Sequence, residues 1–218
     1  MALIAFSSWS GGKDSALALH RAGAAGYDVR YLLTMLAAEP GAGGRSRSHG
    51  LPRTLLERQS RAMGLDHVFG RATWEEYEAG FKIAVAGLKE RGCAAGVFGD
   101  IDLQAHLDWV RRVCGECGVS WHEPLWQYDR RRVVEEFLAA GFRAIIVSCN
   151  RGKMGEDFLG KELTLELADR LSSIGVDAAG ENGEYHSMVF DGPCFSEPVT
   201  YHTGGIEAHN GYLFLAVT

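Results

Sequence analysis

The stretch that decides the fold is "IAFSSWSGGKDSALALH", residues 4–20, in which an apolar run meets a glycine-rich turn and then a helical repeat. Residues 3–9 have the continuous apolar character of a strand that is covered on both faces. Between residues 14 and 24, alanine and leucine recur at the spacing of an amphipathic helix. The turn at residues 10–15 therefore lies where a strand passes into a helix.

The same alternation of strand-like and helical runs continues through the first half of the chain. Strands separated by helices of this length predict right-handed crossovers and a parallel sheet. The fold class is thus predicted as α/β, with a three-layer Rossmann-like sheet whose ligands bind at the carboxyl ends of the strands. The predicted strands are 29–36, 66–69, 94–98 and 119–122, and the predicted helices are 52–63, 74–91 and 103–114.

The pattern changes near residue 124, where short strand-like pieces without regular crossovers begin. We predict a larger α/β domain at residues 1–124 and a smaller α+β domain at residues 125–218, with the site in the cleft between them. Residues 201–205 are predicted to form a turn. The second part is predicted to contain helices at 130–140 and 161–174 and strands at 142–149, 187–190 and 212–217.

Composition describes an ordinary globular protein. The 218 residues carry a formal charge of −6, which argues against broad nucleic-acid binding, and no apolar run approaches the length of a membrane span. Five scattered cysteines predict reduced thiols and a cytoplasmic location. Cys114 and Cys117 form a lone CxxC pair without the second pair of a structural zinc site, which leaves plain thiols or a redox or sulfur-transfer role.

The turn at residues 10–15, "SGGKDS", has the residue types that a phosphate needs. The first turn of a helix offers unpaired N–H groups and partial positive charge. Gly11 and Gly12 allow a close approach to the backbone, and Lys13 can neutralise phosphate charge. Asp14 can cap the helix or hold Mg²⁺. The alternative is a glycine turn with an Asp/Ser cap; a Walker A loop is excluded because aspartate follows the lysine.

"SGGKDS" resembles the PP-loop of the adenine nucleotide α-hydrolase-like superfamily. The resemblance implies that ATP is cleaved between its α and β phosphates, which yields an adenylated substrate and pyrophosphate. We expect the nucleotide to contact the turn after the first strand and the residues after the strand at 94–98. The predicted nucleotide-binding residues are Ser8, Ser10, Gly11, Gly12, Lys13, Asp14, Ser15, Gly99 and Asp100, with Asp14 at the metal.

Asp100 and Asp102 follow the strand at 94–98. They can contact a ligand, or they can cap the helix that starts at Leu103. His106 and Trp109 lie one turn apart on that helix and are predicted to pack against the protein interior.

A second dense patch is "GENGEYHSMVFDGP", residues 180–193, which places Glu181, Glu184, His186 and Asp191 close together. Carboxylates at this spacing repel one another unless a cation, a proton or a ligand separates them. Three interpretations are open at this point: a solvated acidic turn, a metal site, or a substrate site in which carboxylates hold a cationic group and a histidine moves protons.

The patch is similar to the GE-x-GE-[YF] signature of the diphthine–ammonia ligase family, and "FGDI" at 98–101 and "PLW" at 124–126 are similar as well. The resemblance covers nearly the whole chain. It implies that ATP with Mg²⁺ activates a carboxylate as an acyl-adenylate and that ammonia then displaces AMP. The acceptor would be diphthine on elongation factor 2 or a small molecule, with Tyr185 and Trp126 near its quaternary ammonium. The implied catalytic residues are Lys13, Glu181, Glu184 and His186.

Two positions depart from that signature, since Asn182 replaces its middle glycine and His186 its last acid. The turn that the resemblance assigns to ATP matches the family, whereas the patch that would recognise the acceptor departs from it. Two other functions stay open: a PP-loop sulfurtransferase that acts on tRNA through Cys114 or Cys117, and a nucleotide-binding sensor without turnover. Direct nucleic-acid binding is disfavoured by the charge, no membrane is expected, and a homodimer is allowed.

Overall fold

The computed structural model describes residues 2–39 and 44–218. Its first part is a five-stranded parallel sheet with the strand order β3-β2-β1-β4-β5. The central strand β1 carries Ala5 and Phe6, which are completely buried on opposite faces. The strands are β1 (Ile4–Ser8), β2 (Asp28–Ala37), β3 (Asp66–Ala72), β4 (Ala95–Val97) and β5 (Ser120–His122).

Helices cover both faces of this sheet, which confirms the predicted three-layer α/β architecture. On one face Ala5 packs in a cluster with side chains such as Leu17 and Leu55, and on the other Phe6 packs with Phe81 and Val110. The first cluster includes α1 (Lys13–Ala24) and α2 (Arg53–Met63), and the second includes α3 (Tyr77–Glu90) and α4 (Gln104–Cys117).

The strand order reverses between β1 and β4, so the connections from these two strands leave toward opposite faces. Such a switch point opens a crevice at the carboxyl ends of the two strands. The turn 9–12 follows β1 and the turn 98–103 follows β4, which puts both predicted nucleotide-binding segments at this crevice.

The remaining chain forms an antiparallel sheet with the order β7-β6-β9-β8. Two helices accompany it, and α6 packs Leu167 and Leu171 against Ile146 and Tyr185. The elements are α5 (Arg130–Ala139), β6 (Arg143–Asn150), a short 3-10 turn (Glu156–Phe158), α6 (Leu165–Ser173), β7 (Tyr185–Asp191), β8 (Thr203–His209) and β9 (Tyr212–Val217).

Two local predictions are wrong in this second part. The predicted turn at residues 201–205 runs into strand β8, an edge strand whose residues are all exposed, so no buried alternation marks it in the sequence. The helix predicted from residue 161 begins at Leu165, because the Thr164 hydroxyl accepts the Leu167 amide at 3.1 Å and caps it there.

The two sheets meet at the turn that precedes α1. The Val189 amide of β7 donates to the Gly11 carbonyl at 2.9 Å. The buried Gln59 amide of α2 donates to the same carbonyl at 3.1 Å and to the Val189 carbonyl at 2.7 Å. The antiparallel sheet therefore fixes the position of the glycine-rich turn. Within the described residues, every helix is too short or too polar to cross a bilayer.

Candidate active site

A cleft of about 810 Å³ lies at the carboxyl ends of β1, β2 and β4, between the two sheets. It brings together most of the predicted site residues from three distant segments. Those that line it are Ser8, Ser10, Lys13, Asp14, Ser15, Gly99, Asp100, Glu181 and His186. Gly11, Gly12 and Glu184 lie beside the cleft and do not line it.

The first turn of α1 borders this cleft. Gly12 is the N-cap residue and has no side chain with which to cap the helix, so the positive end of the helix dipole borders the cleft. The hydroxyls of Ser10 and Ser15 are 3.1 Å apart, and the Lys13 amide donates to Ser187 Oγ of β7 at 3.1 Å. Serine hydroxyls and helix-end amides are the donors that an anion meets at such a site.

The glycines of the turn serve packing in this structure. Gly11 has φ of +83°, and a Cβ on it would lie 2.6 Å from Leu51. A Cβ on Gly12 would lie 2.3 Å from the His49 ring. The space that the sequence argument assigned to a phosphate is thus filled by protein side chains at both positions. Gly99 has a related role, since its Cβ would lie 2.9 Å from the Asp14 carbonyl and would push β4's turn away from α1.

Lys13 and Asp14 form the charged centre of the cleft. The Lys13 side chain is 4% exposed, and its Nζ lies 2.7 Å from Asp14 Oδ2. Burial opposes the lysine's charge, but Asp14, the Tyr185 ring and Glu181 together raise its pKa above the ordinary value. Lys13 is therefore a permanent cation, held at the position where the sequence places the phosphates.

Three carboxylates, Asp14, Asp100 and Glu181, line the cleft together with two cations, Lys13 and Arg47. Burial, together with the charges of Asp14 and Asp100, raises the pKa of Glu181 to about 7. Among residues 2–39 and 44–218, no three His, Cys, Asp or Glu side chains are arranged to hold a metal ion by themselves. The site thus has carboxylates without a dedicated metal cage.

Glu184 lies outside the cleft and organises the loop before β7. Its carboxylate is 3% exposed, accepts the Asn182 amide at 3.0 Å, and pairs with Lys153 at 3.1 Å. Burial opposes its charge, yet the hydrogen bonds from Lys153 and Asn182 lower its pKa. The Asn182 side chain also donates to it at 3.3 Å, which gives this departure from the signature a structural role.

Arg130 ties the same loop to the turn after β4. Its guanidinium donates to Asp102 at 2.6 and 2.7 Å and to Asp177 at 2.7 Å. Asp177 in turn accepts the Glu181 amide at 3.2 Å. The alternative in which Asp100 or Asp102 caps α4 is wrong, because Leu103 is the N-cap residue and no side chain caps this helix.

His186 is stacked on His49, a residue that the sequence argument missed. The two ring centroids are 4.5 Å apart, and His49 Nδ1 lies 3.1 Å from the Ser187 carbonyl. Burial and the neighbouring His186 lower the pKa of His49 well below 6.5. Burial and Lys13 lower that of His186 to about 4. Both rings are therefore neutral near pH 7. In the sequence, residues 45–49 form a small basic stretch that is typical of a mobile solvated loop, with a lid over a phosphate or an acidic partner as the alternative, so the pattern does not mark His49 as a buried residue.

His106 is exposed and lines the cleft, so the prediction that it packs inside is wrong. Its Nδ1 lies 2.8 Å from Asp100 Oδ1. The hydrogen bond to Asp100 raises the pKa of His106. Trp109 is half-buried, as predicted for a packing residue, and donates its Nε1–H to Glu78 at 3.1 Å.

Of the two aromatic side chains that the sequence suggested, Tyr185 lines the cleft and Trp126 does not. Tyr185 is 2% exposed and donates its hydroxyl to the Ala178 carbonyl at 2.6 Å. Trp74, in contrast, is 68% exposed at the rim, with the Arg47 guanidinium 4.4 Å from its ring centroid. The exposed aromatic surface of the rim therefore comes from Trp74.

The cysteines of the CxxC pair lie on α4 away from the cleft. Cys114 is buried, and burial raises its pKa to about 12. The pKa of Cys117 is raised as well, again first by burial. Reactive thiols need the opposite environment, so the structure gives no support to a persulfide carrier at this pair.

Several known proteins resemble the chain. A diphthine–ammonia ligase from Bos taurus is 24% identical over an alignment 234 residues long, which covers 95% of this chain and 86% of that protein. Another from Schizosaccharomyces pombe is 27% identical over 105 residues, which cover 46% of this chain and only 17% of that protein. A crystal structure described as a predicted subunit of tRNA methyltransferase from Methanocaldococcus jannaschii is 16% identical, with a TM-score of 0.46, over 88% of this chain and 98% of that one.

Two family models also match. The model of the diphthamide synthase N-terminal domain covers residues 3–121, and the model of the C-terminal domain covers residues 129–216. The first model alone spans more than half of the chain, and its range contains the glycine-rich turn, while the second contains the acidic patch before β7. The chain belongs to the diphthamide synthase family.

Proposed function

We propose that this protein is an ATP-dependent ligase that adenylates a carboxylate and then joins it to ammonia, with release of AMP and pyrophosphate. The observation that carries the proposal is the buried cation of Lys13 in the first turn of α1, at the switch point of the parallel sheet. The names of the two diphthine–ammonia ligases that resemble the chain support the same reaction class.

Lys13 and the amides of the first turn of α1 would stabilise the pyrophosphate that leaves. Charge develops on the β-phosphate oxygens as the bond to the α-phosphorus breaks, and donors fixed in place stabilise it without reorganisation. The hydroxyls of Ser8, Ser10 and Ser15 would add neutral donors, and Gly99 would keep the turn after β4 against this helix end. Asp100 lines the same edge.

A magnesium ion fits the donor set. Mg²⁺ in nucleotide sites is held by one or two carboxylates plus phosphate oxygens rather than by an all-protein cage. The described residues offer no cage, and they do offer Asp14 as a carboxylate in the cleft. Asp14 is therefore the residue that would hold Mg²⁺, and the ion would neutralise phosphate charge. Lys13, which pairs with Asp14 in this structure, would turn to the phosphates.

The acceptor would lie beside Glu181 and His186, next to the first turn of α1. Glu181 would orient a cationic or ammonium group, and His186 would present a neutral ring. Glu184, which the resemblance puts among the catalytic residues, holds the loop in shape instead. Diphthine on elongation factor 2 is the acceptor that the family resemblance supplies; a small carboxylate is the alternative that the Asn182 and His186 departures keep open.

The reaction is tested with the purified protein, Mg²⁺, ammonium, and ATP labelled at the α-phosphate. Elongation factor 2 that bears diphthine is one acceptor, and a panel of small carboxylates is the other. We expect labelled AMP, pyrophosphate and an amide product. Lys13→Ala should abolish product, whereas Lys161→Ala, at an exposed position away from the cleft, should retain it. Formation of ADP and phosphate would contradict the proposal.

A further inference from the structure

His106 lines the cleft and has no part in the roles proposed above, and it is paired with Asp100. His106 lies in the first turn of α4, and Asp100 lies in the turn after β4. The Nδ1–Oδ1 distance is 2.8 Å, and the His106 side chain is 56% exposed in the cleft. Because Nδ1 is engaged by the carboxylate, Nε2 is the nitrogen left for a molecule in the cleft.

Acidic groups from three separate elements face this ring. They are Asp100 after β4, Glu123 after β5, and Glu181 in the loop before β7. The hydrogen bond to Asp100 comes first among the causes that raise the pKa of His106, while partial burial opposes it. A proton that His106 accepts is therefore stabilised where it arrives.

The surroundings of the other two histidines of the cleft disfavour a bound proton. His49 and His186 are buried against one another and near Lys13, and the pKa of each is lowered. Their environment penalises a positive charge, whereas that of His106 favours it. Among the histidines that line the cleft, His106 alone combines solvent access, a carboxylate partner and acidic surroundings.

We propose that His106 is the general base of the amide-forming step and that Asp100 is its positioning residue, which fixes the tautomer with a lone pair on Nε2. This rests on the proposed function. Ammonia forms the C–N bond at the acyl-adenylate carbonyl, and the C–O bond breaks with its electron pair leaving on AMP. The surplus proton on nitrogen passes to His106 Nε2 and later to solvent.

The tautomer and the charge of His106 are measured first, because they need no turnover. Nitrogen-15 NMR of the free protein should show the Nδ1–H tautomer, with a pKa above 6.5. Asp100→Asn should lower that pKa, while the exposed control Asp108→Asn, on the same helix, should leave it unchanged. The Nε2–H tautomer in the wild type, or a pKa that ignores Asp100→Asn, would overturn the proposal.

Kinetics then test the role. His106→Gln should lower kcat with ammonium roughly 100-fold, the range of general base catalysis, with an unchanged KM for ATP. The fall of kcat toward acid pH should disappear in this variant. Hydroxylamine is unprotonated at neutral pH and loses a proton more readily, so His106→Gln should lose far less of the rate of hydroxamate formation.

The outcomes separate the two proposals. If the wild-type protein forms no AMP and pyrophosphate with any acceptor, the proposed function is wrong, and the role of His106 in that reaction is wrong with it. If the wild type turns over and His106→Gln retains the wild-type pH profile, or loses both nucleophiles equally, only the assignment of His106 fails. Asp100→Asn repeats the test with the ring intact and should shift the acid limb of kcat to lower pH.

Discussion

The charge of Glu181 should lower the free energy of unfolding at neutral and alkaline pH, and Glu181→Gln should restore it. The side chain has a pKa of about 7 in the folded protein against an ordinary value of 4.5, because it is buried beside Asp14 and Asp100. Between these two pH values the unfolded chain has lost the proton that the folded chain retains. The folded state binds more protons, so the free energy of unfolding falls as pH rises through this window.

The size of the effect follows from the difference in pKa. A difference of about 2.5 corresponds to ~3 kcal/mol at about 1.4 kcal/mol for each pKa unit. The cleft is open to water and solvent screens part of this, so we expect about 1–2 kcal/mol between pH 4.5 and pH 8. Glutamine keeps the shape of Glu181 without the charge, so the penalty should vanish in the variant.

The measurement is urea unfolding of the wild type and Glu181→Gln at several pH values. The variant should match the wild type near pH 4.5 and exceed it by about 1–2 kcal/mol at pH 8. Glu207→Gln, on the exposed edge strand β8, is the matched control and should run parallel to the wild type throughout. Parallel curves for Glu181→Gln as well would refute the reasoning that burial and the neighbouring carboxylates raise the pKa of Glu181.

Three further experiments test the site. Lys13→Ala should lower kcat/KM for pyrophosphate release at least ~100-fold, since it removes the cation that meets the leaving group; a loss under tenfold would count against that role. Replacing Cys114 and Cys117 by serine should leave product formation intact in an amide assay, and loss of activity in a stable double variant would revive sulfur transfer. Gly12→Ala should destabilise by about 1–3 kcal/mol in thermal unfolding, because its Cβ overlaps an imidazole ring, whereas Gly23→Ala in open space on α1 should stabilise by about 0.5–1 kcal/mol. Equal effects of the two glycine substitutions would argue against that overlap.

The sequence predicts the parallel sheet well because its signals are local. The strands β1, β2 and β4 are largely apolar, each crossover helix has its own periodicity, and handedness then limits the arrangement. The turn "SGGKDS" combines both signals at one place, so its position at the carboxyl end of β1 follows directly. The sequence does not predict strand β8, because an edge strand that is exposed on both faces has no alternation of apolar and polar residues to mark it.

The candidate site is predicted less completely, since it depends on contacts between distant segments. Spacing along the chain brings Glu181 and Glu184 together, yet only Glu181 lines the cleft. The sequence pattern of strand β7 does not reveal which of these two side chains faces the cleft. The loop before β7 is shaped by Lys153 and Arg130, which belong to other elements. A sequence shows that acids cluster; it does not show which one is neutralised by a lysine thirty residues away.

The histidines show the same limit in chemical terms. The acidic patch in the sequence led to His186 as a proton carrier, and helical spacing left His106 as a packing residue, but the environments favour the reverse assignment. Lys13 and burial hold His186 neutral, while the carboxylate of Asp100, delivered by the turn after β4, favours the charged form of His106. An imidazole acts as a base when nearby groups stabilise the proton it receives. Those groups come from three elements that only the fold brings together, so a histidine of the acidic patch can lie in the cleft and still be the weaker base.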